Sequence, residues 1–172
     1  WGLRDGGLVE SLVQESELHV VAIDPDARKI DAIRKRLDAA GWYGVRAAAI
    51  AADPLEMELA PYLAELIAVE DPEAAGIERG APFVRKLFSP LRPYGGTGLL
   101  PLSAAEQERF AEQVRELKLP GAEVRRIGEL TALVRAGPLP GSAPWRGQNA
   151  DAGNTRVSRD ELVKAPLGVL WF

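Results

Sequence analysis

At 172 residues the chain is long enough for one domain with a substantial core and too short for two ordinary ones, so a single domain with an appendage is expected. Hydrophobic residues make up 47% and charged residues 27%, a globular balance that argues against extended disorder, and with aromatics at 6% the core must be filled mainly by aliphatic side chains and alanine. The net charge of -4, with Lys and Arg scattered among Asp and Glu, offers no basic face for nucleic acid; the absence of cysteine and the single histidine, His19, remove zinc clusters, thiol nucleophiles and disulfide scaffolds.

No apolar run approaches the length of a membrane span, and no signal-peptide pattern opens the chain. Trp1, followed at once by a glycine-rich turn, reads as the interior of a fold, so an apolar first strand is expected upstream of it. Residues 18–23, Leu-His-Val-Val-Ala-Ile, suit a buried central parallel strand closed by Asp24-Pro25-Asp26. Asp26 then caps a helix over residues 27–40, with Ile30, Ile33 and Leu37 on one face and Gly41 as its stop. A second strand, residues 45–52, ends at Asp53-Pro54, and a third apolar run, 63–69, ends at Glu70-Asp71-Pro72. Three strands in succession thus present carboxylates where they stop, and in open α/β sheets the ligand crevice lies outside the carboxyl ends of the strands.

Residues 82–91 carry Phe83, Val84, Leu87 and Phe88 at helical spacing, and Arg92-Pro93-Tyr94-Gly95-Gly96 breaks that helix before a strand at 97–102. Ser103 opens another helix, with Glu106 as capping-box partner, running to about Leu117. Residues 123–127 and 130–135, separated by Gly128-Glu129, read as an antiparallel hairpin that closes the domain. From Gly137 the composition turns to that of a linker, Gly-Pro-Leu-Pro-Gly-Ser-Ala-Pro, and apolar residues 166–172 suit a strand in need of a partner.

This order of elements, from Trp1 to about Gly137, resembles class I S-adenosylmethionine-dependent methyltransferases. Gly2-Leu3-Arg4-Asp5-Gly6-Gly7-Leu8 resembles that family's glycine-rich cofactor loop. Asp24 stands where the family's acid accepts ribose hydroxyls, Asp53 where an acid meets the adenine edge, and Glu70 and Asp71 where the fourth strand faces cofactor and substrate. Residues 91–96, Leu-Arg-Pro-Tyr-Gly-Gly, resemble the passage into strand five. The resemblance implies a Rossmann-like fold whose mostly parallel sheet ends in an antiparallel hairpin, S-adenosylmethionine as cofactor, and Gly2, Gly6, Asp24, Asp53, Glu70 and Asp71 as cofactor-binding residues. No catalytic residue is implied, because the sulfonium is already activated and positioning carries much of the rate. Plain structural readings stay beside these: tight turns for the glycines, turn formers and helix caps for Asp24 and Asp53, solvated loop acids for Glu70 and Asp71. His19 within an apolar strand reads as a structural residue.

Arg4 departs from the pattern, standing where the family's middle glycine is expected. It folds outward, pairs with Asp5 or Asp24, or obstructs the pocket and leaves a methyltransferase-shaped domain without activity. Two rival readings follow: a non-catalytic scaffold, and a nicotinamide-dependent oxidoreductase. The latter shares the glycine loop and the acid after strand two and ranks lower because a terminal antiparallel hairpin is the methyltransferase's habit, an order that an all-parallel sheet would reverse. In the tail, Trp145, residues 149–155 (Asn-Ala-Asp-Ala-Gly-Asn-Thr), Ser158 and the closing Leu-Gly-Val-Leu-Trp-Phe resemble the opening of a blade in pyrroloquinoline-quinone-like β-propellers. That resemblance implies a methyltransferase-like domain at 1–137 joined through 138–172 to a propeller, as in planctomycete-type bacterial proteins, soluble and either cytoplasmic or exported. The alternative is an arm packed on its own domain or on a partner strand.

Overall fold

A computed structural model describes residues 1–145, 148–150 and 152–162. In chain order the elements are α1 (Gly7–Glu15), β1 (Val20–Asp24), α2 (Ala27–Ala39), β2 (Ala47–Ala51), β3 (Leu66–Ala68), α3 (Ala81–Phe88), β4 (Gly96–Leu100), α4 (Ala104–Glu116), β5 (Ala122–Ile127) and β6 (Leu130–Arg135). Local chemistry explains the helices. The Asp26 carboxylate accepts the Arg28 N–H at 2.8 Å to start α2, whose Ile30, Ile33 and Leu37 are fully buried. Ser103 and Glu106 close the expected capping box at the head of α4, with the Ser103 N–H 2.8 Å from Glu106 Oε2.

The strands fall into two groups. β1 and β2 pair in parallel, while β3, β4, β6 and β5 form a second group in that spatial order. β3 runs parallel to β4, and β6 lies antiparallel to both β4 and β5. The hairpin therefore folds back so that its second strand, not its first, touches β4. The antiparallel pairs are those of the expected closing hairpin, and the sheet is not all-parallel. β3 is shorter than the run of residues 63–69 that announces it: Leu63 and Leu66 are exposed, and its edge away from β4 has no strand neighbour among the described residues.

Residues 1 and 2 join the two groups. The Trp1 α-ammonium donates to the Ala68 carbonyl at 2.7 Å, the Glu70 N–H donates to the Trp1 carbonyl at 3.2 Å, and the Gly2 N–H donates to the Ile23 carbonyl at 3.1 Å. The core has two corresponding parts. One gathers α3, α4, β4 and β6 around Phe83, Leu87, Leu100 and Leu133; the other gathers α1, α2, β1 and β2 around Val13, Ile30, Ile33 and Leu37. The described part of residues 138–162 contains no helix or strand and holds itself by turn contacts such as the Glu161 N–H to the Gly141 carbonyl at 2.7 Å. The strand expected at 166–172 lies outside the described residues.

Candidate functional site

The carboxyl ends of β1, β2 and β3 meet at one rim. β1 and β2 are in register as far as Asp24 opposite Ala51, and the Ala52 N–H then donates to the Asp24 carbonyl at 3.1 Å, which brings Asp53 to the same end of the sheet. Beyond β3 the chain continues alongside β4 through Val69, whose N–H meets the Leu99 carbonyl at 2.9 Å, and delivers Glu70 and Asp71 beside residues 1–4.

Asp24 is the most enclosed member of this rim. Its side chain is 0% exposed, Oδ2 accepts the Leu3 N–H at 2.6 Å, and Oδ1 accepts the Asp26 N–H at 2.7 Å. Lys29 Nζ stands 3.6 Å from Oδ2 and also donates to the Leu3 carbonyl, so carboxylate, ammonium and loop backbone form a closed clasp. Arg36 does the same further along, donating to the Asp5 carbonyl while its Nε meets Glu10 Oε1 at 2.9 Å. Two cations of α2 thus hold the glycine loop down.

The other acids are also engaged by the protein. Glu70 Oε2 accepts the Arg4 N–H at 3.2 Å, and Asp71 Oδ1 accepts the N–H groups of Glu73 and Ala74, each at 3.1 Å. Asp53 accepts the Leu55 N–H at 2.8 Å on one oxygen and pairs with Arg79 at 2.6 Å on the other. Burial pushes the Trp1 α-ammonium down to about 6, against the opposing pull of Glu70 and Asp24 nearby.

Gly2, Asp24, Glu70 and Asp71 are therefore joined through residues 1–4 into one hydrogen-bonded cluster. Asp53 sits on the flank with Arg79, and Gly6 starts α1 against α2. Both glycines answer to packing within the protein. A Cβ on Gly2 would lie 2.2 Å from the Asp71 carbonyl oxygen, and one on Gly6 would lie 2.8 Å from the Arg36 guanidinium; each also has positive φ, 62° and 82°. Arg4 is exposed, and among the described residues its side chain pairs with neither Asp5 nor Asp24, so of the alternatives for it the outward one is found. His19 is exposed near the opposite end of β1 from Asp24.

Lys29, Arg36 and Arg79 were not among the expected site residues. Lys29 and Arg36 lie on the helix that Asp26 caps, and a cation in its first turn beside a strand-ending acid was a readable signal. Arg79 gives no sequence signal, because its partner is 26 residues away.

Neither a protein-family model nor a curated protein sequence matches the chain. Solved structures do. A proposed S-adenosyl-L-methionine-dependent methyltransferase from Methanococcus maripaludis superposes with a TM-score of 0.65 at 16% identity, covering 77% of this chain and 73% of that one. The N-methyltransferase NodS from Bradyrhizobium japonicum gives 0.53 at 17% identity, over 80% and 83% of the two chains. The cyclase SpnF gives 0.56 at 12% identity, and there this chain spans 51% of the other's length. A cyclase among these neighbours illustrates that the likeness concerns architecture and leaves activity to the site. The chain thus has the Rossmann-like fold of class I S-adenosylmethionine-dependent methyltransferases.

Proposed function

We propose that the carboxyl rim is an S-adenosylmethionine site and that the domain is a methyltransferase. The observation that carries this reading is the placement of the loop at residues 1–4, hydrogen-bonded between Asp24 on one side and Glu70 and Asp71 on the other. A backbone bend and three carboxylates at one rim suit a ribose, an adenine amine and a sulfonium cation. The cofactor would bring its own activated methyl group; the chain's part is to position and desolvate it.

The fit requires two changes. The Asp24 side chain is fully buried against the Leu3 N–H and Lys29, so a ribose reaches it only when that clasp opens and Lys29 releases the Leu3 carbonyl. Asp53 would meet the adenine edge after parting from Arg79. Calorimetric titration with S-adenosylhomocysteine tests this reading. Binding that weakens at least tenfold in Asp24→Asn supports it; no binding at millimolar ligand overturns it.

A second reading, a non-catalytic methyltransferase-like scaffold, draws on a specific observation: the carboxylate best placed for ribose is fully buried and satisfied, beside a loop in which arginine replaces glycine. It anticipates no heat with S-adenosylhomocysteine and no thermal shift. In either reading residues 1–137 are the domain and 138–172 its connection to a β-propeller or a partner strand. Limited proteolysis that cuts after residue 137 and leaves a folded core would support that division; protection of residues 138–162 as strong as that of the hairpin would oppose it.

A further inference from the structure

The cations of the carboxylate rim are nearly all committed to the protein itself. Lys29 meets Asp24 and the Leu3 carbonyl, Arg36 meets Glu10 and the Asp5 carbonyl, Arg79 meets Asp53, and Arg28 meets Asp26. Arg4 is different: it is exposed, and its guanidinium makes no hydrogen bond or ion pair among the described residues. Its backbone, in contrast, is pinned on both sides, the Leu3 N–H to Asp24, the Arg4 N–H to Glu70 at 3.2 Å, and the Asp5 carbonyl to Arg36. Gly2 and Gly6 have φ of 62° and 82°, whereas Arg4 is not among the residues of positive φ, so the loop seats a side chain at this position without strain.

The rim also has an order. From β2 to β3 it runs Asp53, Asp24, the loop at residues 2–4 and then Glu70, because β1 pairs with β2 and Gly2 bonds to Ile23 on one side and Asp71 on the other. Asp24 and Glu70 are two strand spacings apart, about 10 Å. S-adenosylmethionine carries its own groups in line: adenine, ribose, sulfur, and then an amino acid with a carboxylate and an ammonium. With adenine at Asp53 and ribose at Asp24, the amino-acid end falls at Arg4 and Glu70. The first is an unpaired cation; the second is a carboxylate that gives Oε2 to the Arg4 N–H and has no hydrogen-bond partner on Oε1 among the described residues. The slot that opens between β1 and β3 below Trp1, about 450 Å³, is walled mainly by aliphatic side chains such as Leu8, Leu12, Val21 and Leu66 and does not suit a zwitterion.

We propose that Arg4 is a specificity-determining residue of this site, its guanidinium taking the carboxylate of the ligand's amino-acid end while Glu70 takes the ammonium. The proposal rests on the rim being an S-adenosylmethionine site, and it reverses the sense of the departure at position 4: the arginine is a contact and not an obstruction. A guanidinium presents paired N–H donors that match a carboxylate, and such charge-assisted bonds are about twice as strong as neutral ones. With the backbone already pinned, only the side chain has to be ordered when the ligand arrives, which limits the entropic cost. The protein therefore prefers adenosine ligands that carry the amino acid over those that lack it, and a glycine at position 4 weakens binding instead of improving it.

The test is calorimetric titration of the 172-residue protein and its Arg4→Gly and Arg4→Lys variants with two ligands. One is S-adenosylhomocysteine; the other is 5′-methylthioadenosine, which keeps adenine, ribose and sulfur but has no amino-acid end. Arg4→Gly is expected to lose about tenfold in affinity for S-adenosylhomocysteine and none for methylthioadenosine, with Arg4→Lys, which keeps the charge and loses the fork, in between. Because Arg4 is exposed, the thermal midpoints of both variants are expected to match the parent's. Affinity of Arg4→Gly for S-adenosylhomocysteine equal to the parent's or above it would overturn the proposal and leave the cofactor site standing. So would an equal loss for both ligands, which marks a role in loop shape alone. A parent that binds neither ligand beside an Arg4→Gly variant that binds S-adenosylhomocysteine makes the arginine an obstruction, again sparing the cofactor reading; no binding of either ligand to any of the three proteins ends both.

Discussion

The two groups of strands hold together in different ways. In the group built from β3, β4, β6 and β5, both interior strands are paired on both edges, and α3 and α4 pack there with Phe83, Leu87 and Leu133 fully buried. The pair β1 and β2 has one ladder, leans on α2, and reaches the rest of the sheet through the bonds made by Trp1 and Gly2. Three of the candidate site residues, Gly6, Asp24 and Asp53, belong to this more lightly held side, Glu70 and Asp71 come from the other, and Gly2 bridges the two. Segments that bind ligands tend to be drawn from the less stable end of a structure, and a ligand on this rim would tie the two groups together.

Truncating the heavier side should do the most damage. Phe83→Ala is expected to cost about 3–5 kcal/mol in urea denaturation and to lower the melting of the whole domain. If native-state exchange then found the Leu133 and Ala22 amides equally protected in the parent protein, the distinction between the two groups would fail.

The seam itself should respond to pH. In a protein with Trp1 as its first residue, the α-amino group is pushed from 8.0 to about 6 on folding. Above pH 8 it is neutral in both states and costs nothing. As the pH falls from 8 to 6, the unfolded chain takes up a proton that the folded one does not, so stability declines through that window, by about 2–3 kcal/mol in all. Acetylation of the amine should remove that slope from a pH series of denaturation curves.

Within the lighter side, Asp24→Asn should cost about 2 kcal/mol, less than a wholly buried pair because Lys29 is partly in solvent. Lys29→Met should add little on top of it, since both act on the same Leu3 clasp; full additivity in a double-mutant cycle would show that no clasp exists. The smallest effect belongs to a device shared by neither ladder: Ser103→Ala should lose about 1 kcal/mol by removing the capping box of α4, measurable as a shift in the urea midpoint.

The elements that were legible in the sequence are those whose signals are local. α2 announced itself through Asp26 and the spacing of Ile30, Ile33 and Leu37, α4 through Ser103 and Glu106, and the hairpin through two short runs around Gly128-Glu129. The rim was legible as a row of acids at strand ends, but not the partners that occupy them. Leu3 meets Asp24 across 21 residues and Arg4 meets Glu70 across 66. Arg135 was read only as a strand residue, yet it is buried, with its guanidinium 2.8 Å from the Phe88 carbonyl and 3.8 Å from the centre of the Phe88 ring. Nothing in the neighbourhood of Arg135 in the sequence speaks of that enclosure.

Composition, periodicity and capping chemistry by themselves determined that this chain alternates strands with amphipathic helices and ends its strands in carboxylates, because each of those properties is set within a few residues. Only the tertiary structure decided that β6 rather than β5 lies against β4, that Asp24 is sealed by Leu3 and Lys29, and that an apolar slot stands open between β1 and β3. Those outcomes depend on which surfaces meet after the chain has turned back on itself, and the free energy of such meetings is a property of pairs of segments that neither segment carries alone.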